Sequence, residues 1–211
     1  MSFQTIFEIQ QSMTVNNRRT VGQQVSRSGQ IRTAQYLTSV PWVFTITPHN
    51  YLYYPQVRDV IQSIDNLDRQ TSMVITFDTP ELEWFVAYQG GASSAPTTMT
   101  LDSTPAPNAT TLSITGVPSA SGDIFKAGDF IMVDGYTYKV TQDVARADTI
   151  SVPIHRPVIG SPTAGAAVAC AENCTFNVYA EACPTYTLTP MTDGAFVNWD
   201  GPFVFRENVA P

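Results

Sequence analysis

Side chains able to do chemistry are few in this chain. Its 211 residues include two histidines, His49 and His155, and three cysteines, Cys170, Cys174 and Cys183. His49 follows Pro48 in a turn-like run, and His155 sits in Val152-Pro153-Ile154-His155-Arg156-Pro157. A nucleophilic site needs its base within hydrogen-bond reach of the nucleophile, and the sequence pairs neither histidine in that way. Structural roles are expected for both. The cysteines read Cys-x3-Cys-x8-Cys with no histidine nearby. Zinc sites join one Cys-x2-4-Cys half to a second half. The second half is missing, so core thiols are expected.

Acidic pairs such as Glu81 with Glu83, or Asp129 with Asp134, are the residue types that hydrolyse glycosidic bonds. On a strand Glu81 and Glu83 would share one face, but a solvated edge explains them better. There is no phosphate-binding loop, no HExxH and no EF-hand loop in the sequence. The expectation is a protein that is not an enzyme, with no catalytic residues, no metal and no cofactor. Tyr51, Tyr53 and Tyr54 form the one aromatic cluster that could stack on a sugar or a partner. Packing at the entrance of the helix that follows is the competing and preferred role.

Composition narrows the class. Charged residues are 14% and aromatics 11%, against about a quarter charged in an ordinary domain. A β-rich chain with much of its surface covered fits these values, which hints at assembly. The formal net charge is −7. Residues 1–50 hold Arg18, Arg19, Arg27 and Arg32 against Glu8 alone, a balance of +3, which leaves −10 for the remainder. That is not the balance of a nucleic-acid binder. It does give a basic N-terminal arm an acidic body to rest on, its own or a neighbour's. No secretory signal is expected at the N-terminus, and no apolar run approaches the roughly 20 residues of a membrane span. Three cysteines leave at least one thiol unpaired within a monomer, so assembly in a reducing cytoplasm is expected.

The elements that must position these residues are strands and one helix. In Val40-Pro41-Trp42-Val43-Phe44-Thr45-Ile46-Thr47, the residues Trp42, Phe44 and Ile46 fall on one face. Pro55 suits a first helical turn, and Val57, Val60, Ile61, Ile64 and Leu67 recur at helical spacing, predicting a helix over 55–69. Residues 1–35 show little pattern and read as an extended arm. Strands are predicted at 73–77 and 83–88, then a Gly/Ser/Thr/Pro-rich boundary at 89–108. Strands at 111–114, 130–133, 137–141 and 149–154 suggest a small barrel, with Asp134-Gly135 as a hairpin turn. A second loose stretch, 160–167, follows. The predicted organisation is a β domain in two parts, 1–95 and 168–211, around an inserted small β-barrel at 96–167. Strands at 174–180, 185–188 and 203–205 would complete the sheets begun before residue 89.

The run Val25-Ser26-Arg27-Ser28-Gly29-Gln30, then Val40-Pro41-Trp42-Val43-Phe44-Thr45-Ile46 and the helix ending Ile64-Asp65-Asn66-Leu67-Asp68-Arg69, resembles the N-terminal half of virion structural proteins of tailed bacteriophages, of the distal-tail or baseplate-hub kind. The hairpin from Ala127 to Thr141, with Ile150 to Ile154, is similar to small barrel insertions in phage tail and capsid proteins. The resemblance implies a mainly β, tail-tube-like sandwich with one flanking helix, repeated by rotation into a ring of six copies. It implies a place at the distal end of the tail tube, in contact with tube and baseplate or receptor-binding proteins, in a virion assembled in the bacterial cytoplasm. From charge and hydropathy, no membrane and no specific nucleic acid are expected as partners. The charge balance makes Arg18, Arg19, Arg27 and Arg32 candidate subunit-interface residues, and Tyr51, Tyr53 and Tyr54 could face a partner. A tail terminator, tube or decoration protein, a carbohydrate-binding module and a glycan-degrading enzyme are the competing classes.

Overall fold

The computed structural model describes residues 3–18, 21–35, 40–66, 71–86, 98–119, 121–192 and 194–209. A short helix α1 (Phe3–Glu8) leads into β1 (Gln10–Asn16) and the strands β2 (Val21–Val25) and β3 (Ile31–Gln35). Next come β4 (Val43–Pro48), β5 (Leu52–Tyr53), helix α2 (Tyr54–Asn66) and β6 (Met73–Thr76). Short strands follow: β7 (Thr100–Leu101), β8 (Thr111–Thr115), β9 (Asp123–Phe125), β10 (Phe130–Val133), β11 (Tyr136–Lys139), β12 (Val144–Ala145), β13 (Thr149–Pro153) and β14 (Val168–Cys170). Then come β15 (Thr175–Ala182), β16 (Tyr186–Met191), β17 (Gly194–Trp199) and β18 (Phe203–Glu207). The chain is mainly β. Among the described residues no helix is long and apolar enough to cross a membrane.

The main sheet has the order β1-β4-β18-β15-β6 and is antiparallel throughout. Alternation in β4 buries Phe44 and Ile46 and leaves Thr45 and Thr47 outward, as its period of two requires. In α1, Phe3, Ile6 and Phe7 stand three and four residues apart and are all buried. The helix contacts both β4 and the far edge strand β6, so the sheet curls around it. Gln4 closes that edge. Its Nε2 donates to the Thr76 carbonyl at 3.1 Å and its Oε1 accepts from the Thr76 N–H at 3.0 Å, as a further strand would. The enclosed core is aromatic, with Phe7, Phe44, Phe77 and Phe176 in edge-on and tilted contact.

A second hydrophobic cluster runs from Met99 to Cys170 and includes Leu112, Ile114, Phe125, Ile131 and Tyr138. Three small sheets surround it: β11-β10-β14, β12-β9 and β13-β8-β7. The β10–β11 turn has φ of 53° at Asp134 and 78° at Gly135, the left-handed pair that a two-residue hairpin turn needs. Strand β14 leads through a single 3-10 turn at Ala171–Asn173 into β15, which returns to the main sheet.

One polar lock joins the two clusters. Arg156, just past β13, is fully buried and makes a forked ion pair with Glu207 of β18, at 2.5 and 2.7 Å. The same guanidinium donates to the carbonyls of Val40 and Thr137. Glu207 also accepts from the Trp42 N–H, and the Trp42 indole donates to Thr137 O at 2.8 Å. Arg156 stands over the Tyr138 ring, 5.2 Å from its centroid.

The third layer is the sheet β16-β17-β5 with α2 on one face. Val57 and Ile61 of α2 pack on Val197, and Val60 turns toward the main core. Ile64, expected against a sheet, is only half-buried, and Leu67 lies outside the described residues.

Three expectations need correction. Over its described residues the stretch 1–35 is not an extended arm: 3–16 form α1 and an edge strand of the main sheet, and 21–35 form the β2–β3 hairpin. The strand predicted at 83–88 is instead a 3-10 turn, Glu83–Phe85, over the described part of that range. Leu82, Phe85 and Val86 face inward at spacings of three and four, a helical and not an alternating pattern. The predicted strands of the second cluster are present, but β7, β9, β12 and β14, of two or three residues each, are additional.

Removing one side of a buried ion pair strands the other. Glu207→Ala is therefore expected to cost about 3–5 kcal/mol of unfolding free energy. The paired change Arg156→Met with Glu207→Leu is expected to cost less than Glu207→Ala alone. Urea unfolding of the three proteins measures both, and a double change costlier than the single one would contradict this account.

Candidate functional site

The residues able to do chemistry are dispersed. The Nδ1 of His155 accepts from the Lys139 N–H at 2.9 Å, and its ring lies 5.2 Å from that of Trp42. His49 is exposed, and its backbone N–H donates to Ile9 O at 3.0 Å. Glu81 and Glu83 are both exposed, on a turn and on the 3-10 helix that follows it, and no strand face brings them together. Asp129 is buried and accepts from the Lys126 N–H at 2.8 Å, closing a turn, while Asp134 forms the exposed β10–β11 turn. Among the described residues no group of three or more His, Cys, Asp and Glu is placed to hold a metal ion.

The three cysteines form no disulfide with one another. Burial pushes the Cys170 thiol up to about 12, and it pushes Cys174 well above its ordinary value. Burial also pushes Tyr138 up to about 12, against the opposing N–H of Ile159 on its hydroxyl oxygen. Near the surface, Lys126 is held protonated by hydrogen bonds to Asp123 and Asp143. Asp143 is lowered by the Ala127 N–H and then by Lys126. These arrangements close turns, and exposed pairs of this kind contribute little.

What the surface does offer is contact area. The β2–β3 hairpin pairs with no other strand among the described residues. Val25 and Ile31 are cross-strand partners behind its turn, each 64% exposed. From Ile9 to Arg58 the sequence holds five arginines and no acid. Of the four arginines proposed for an interface, Arg18 and Arg27 are exposed, and among the described residues neither is ion-paired. Arg18 faces Gly128, Lys139 and His155 across a shallow hollow. Arg32 has its backbone in β3, while its side chain, and all of Arg19, lie outside the described residues.

A cleft of about 410 Å³ lies between α2 and the base of β16, lined by Ile61, Ile64, Tyr186 and Trp199, with Cys183 and Asp65. Asp200 stands beside it, accepting from the hydroxyls of Thr185 and Thr187. Strand β16 is exposed at every position. Of the cleft residues, Ile61 and Ile64 were read from sequence as helix positions and Cys183 as a core thiol, while Tyr186 and Trp199 were not singled out. The alternation of Tyr186 and Leu188 with threonines was the available signal.

The tyrosines separate. Tyr54 is half-buried against the α2 cluster, whereas Tyr51 is 68% exposed and Tyr53 partly so. Both exposed rings meet Phe196 edge-on, at 6.4 and 6.3 Å. Tyr51 has φ of 60°, uncommon for a residue with a Cβ, and its N–H donates to Asn198 Oδ1 at 3.0 Å.

No protein-family model and no curated protein sequence matches the chain.

Two outcomes follow from the buried thiols and phenol. A disulfide reagent at pH 8 is expected to modify Cys183 alone, and Cys170 and Cys174 only after denaturation. Rapid reaction of two or three thiols in the folded protein would contradict it. Cys170 and Tyr138 have folded pKa values above their ordinary 9.0 and 10.0. The folded state therefore binds more protons than the unfolded one at high pH. Their contribution is complete below pH 9 and is lost as pH rises from 9 to 12. Melting temperature measured across that range is expected to fall.

Proposed function

We propose that the chain is a structural, non-enzymatic part of a tailed-phage particle. It forms a ring at the distal end of the tail tube and connects the tube to the baseplate or receptor-binding proteins. A mainly β chain with a curled antiparallel sheet and a helix-backed second sheet supports the tail-tube-like reading. The residue 99–170 cluster supports the reading of that stretch as an inserted barrel.

The observation that carries the proposal is the β2–β3 hairpin. A two-stranded ribbon alone is marginal in water, and this one projects Val25 and Ile31 into solvent on an arginine-rich segment. Such a feature is stabilised by another surface. In a ring every copy both gives and receives that contact, and six copies are the expected number.

Tyr51 favours a second reading, glycan binding. Its constrained backbone and exposed ring beside Phe196 give one flat face on which a sugar ring can stack. Loss of measurable glycan affinity in Tyr51→Ala would support that reading.

The ring reading is tested on particles. Antibody labelling, or density for this chain in electron micrographs, is expected at the distal tail. Particles without the chain would overturn it. Reversal of Arg18, Arg19, Arg27 and Arg32 to Glu is expected to leave a folded monomer with an unchanged melting temperature. Assembly should be lost in that variant, and wild-type assembly should weaken with added salt. Normal assembly of the reversed variant would show that the hairpin is not an electrostatic clasp.

A further inference from the structure

Two surfaces of the molecule complement each other. The β2–β3 turn is tied by the Ser26 N–H to Gln30 O and the Gly29 N–H to Ser26 O. Val25 and Ile31 stand paired directly behind it, and Arg27 projects from the turn itself. The tip is thus a small apolar pair led by a cation. The α2–β16 cleft has the opposite arrangement. Its apolar walls are Ile64, Tyr186 and Trp199, and Asp65 and Asp200 flank it. Leu188, two residues beyond Tyr186 on the same face of β16, continues the apolar wall and is 42% exposed. The outer edge of β16 pairs with no strand among the described residues. Pro190 has no N–H to offer, so pairing along that edge is confined to the end near the cleft.

We infer that the β2–β3 tip of one copy seats in the α2–β16 cleft of a second copy. Val25 and Ile31 lie against Ile64, Tyr186 and Trp199, and Arg27 points to Asp65 and Asp200. The second copy is the occupant because the charges match. The first 50 residues carry +3 and the rest of the same chain −10. Donor and acceptor are different surfaces, so the contact is heterologous. It repeats head to tail and closes only if the rotation allows. The inference deepens the ring reading and rests on it for that closure.

The test uses the full chain in a Cys183→Ser background, where the remaining native thiols are buried. Ile31→Cys and Leu188→Cys combined, with a short bismaleimide, are expected to give a ladder of covalent dimers, trimers and larger species. Either single variant should stay monomeric on the gel, and a mixture of the two should stop at dimers. Adding Val25→Asp, an exposed position, should remove the ladder without changing the melting temperature. Dimers from Ile31→Cys alone would show a hairpin-to-hairpin contact and overturn the proposal. So would a wild-type chain that is monomeric at every concentration, or one that self-associates while the double variant gives no ladder. A ladder formed by a chain that particle labelling places elsewhere would sink the distal-tail reading and leave the contact standing.

Discussion

The buried pair of Arg156 and Glu207 is the constraint on which the arrangement of the molecule depends. Apolar faces attract without direction, so two hydrophobic clusters could pack in several relative orientations. A guanidinium fork cannot. Its two terminal nitrogens point to both carboxylate oxygens of Glu207 and to the carbonyls of Val40 and Thr137, which ties these segments to one relative placement. The lock gathers the entrance to β4, the hairpin strand β11, the segment after β13 and the strand β18. Desolvating both charges is costly, and an apolar replacement of similar volume can be as stable. We assign the pair a role in specifying orientation more than in adding stability.

The sheet edges follow a related logic. The β6 edge is closed by the Gln4 amide, which supplies one donor and one acceptor to Thr76. The β1 edge carries a register shift between Gln10 and Ser12, a bulge of the kind that discourages further pairing. The β16 edge has only Pro190 against pairing, placed toward the hairpin end. Of these three edges two are blunted, and that of β16 is left open beside an apolar cleft.

Much of the strand framework was legible, and the reasons are local. Trp42, Phe44 and Ile46 alternate, Val57, Val60 and Ile61 keep a helical period, and Asp134-Gly135 is a turn that few other sequences satisfy. What escaped has physical causes. Helix α1 spans six residues, too short to establish a period. Glu83 to Phe85 is rich in strand-forming aromatics, but Leu82, Phe85 and Val86 are buried by tertiary packing at helical spacing. The Arg156–Glu207 pair joins positions 51 residues apart, and nothing around either residue marks it. The cleft is built from α2, β16 and β17, so its walls become neighbours only through the fold.

The strand order has a consequence for how the protein is made. Strand β18, the last element in sequence, sits in the middle of the main sheet between β4 and β15. During synthesis β1 and β4 can pair early, but their sheet has no centre until residues 203–207 have left the ribosome. Glu207 arrives with them, so Arg156 waits for its carboxylate over the same interval. A nascent or prematurely stopped chain would present an open sheet, an unmatched cation and an exposed aromatic core, which chaperones and proteases recognise. Emergence of residues 203–207 is thereby the step that closes both the main sheet and the buried ion pair.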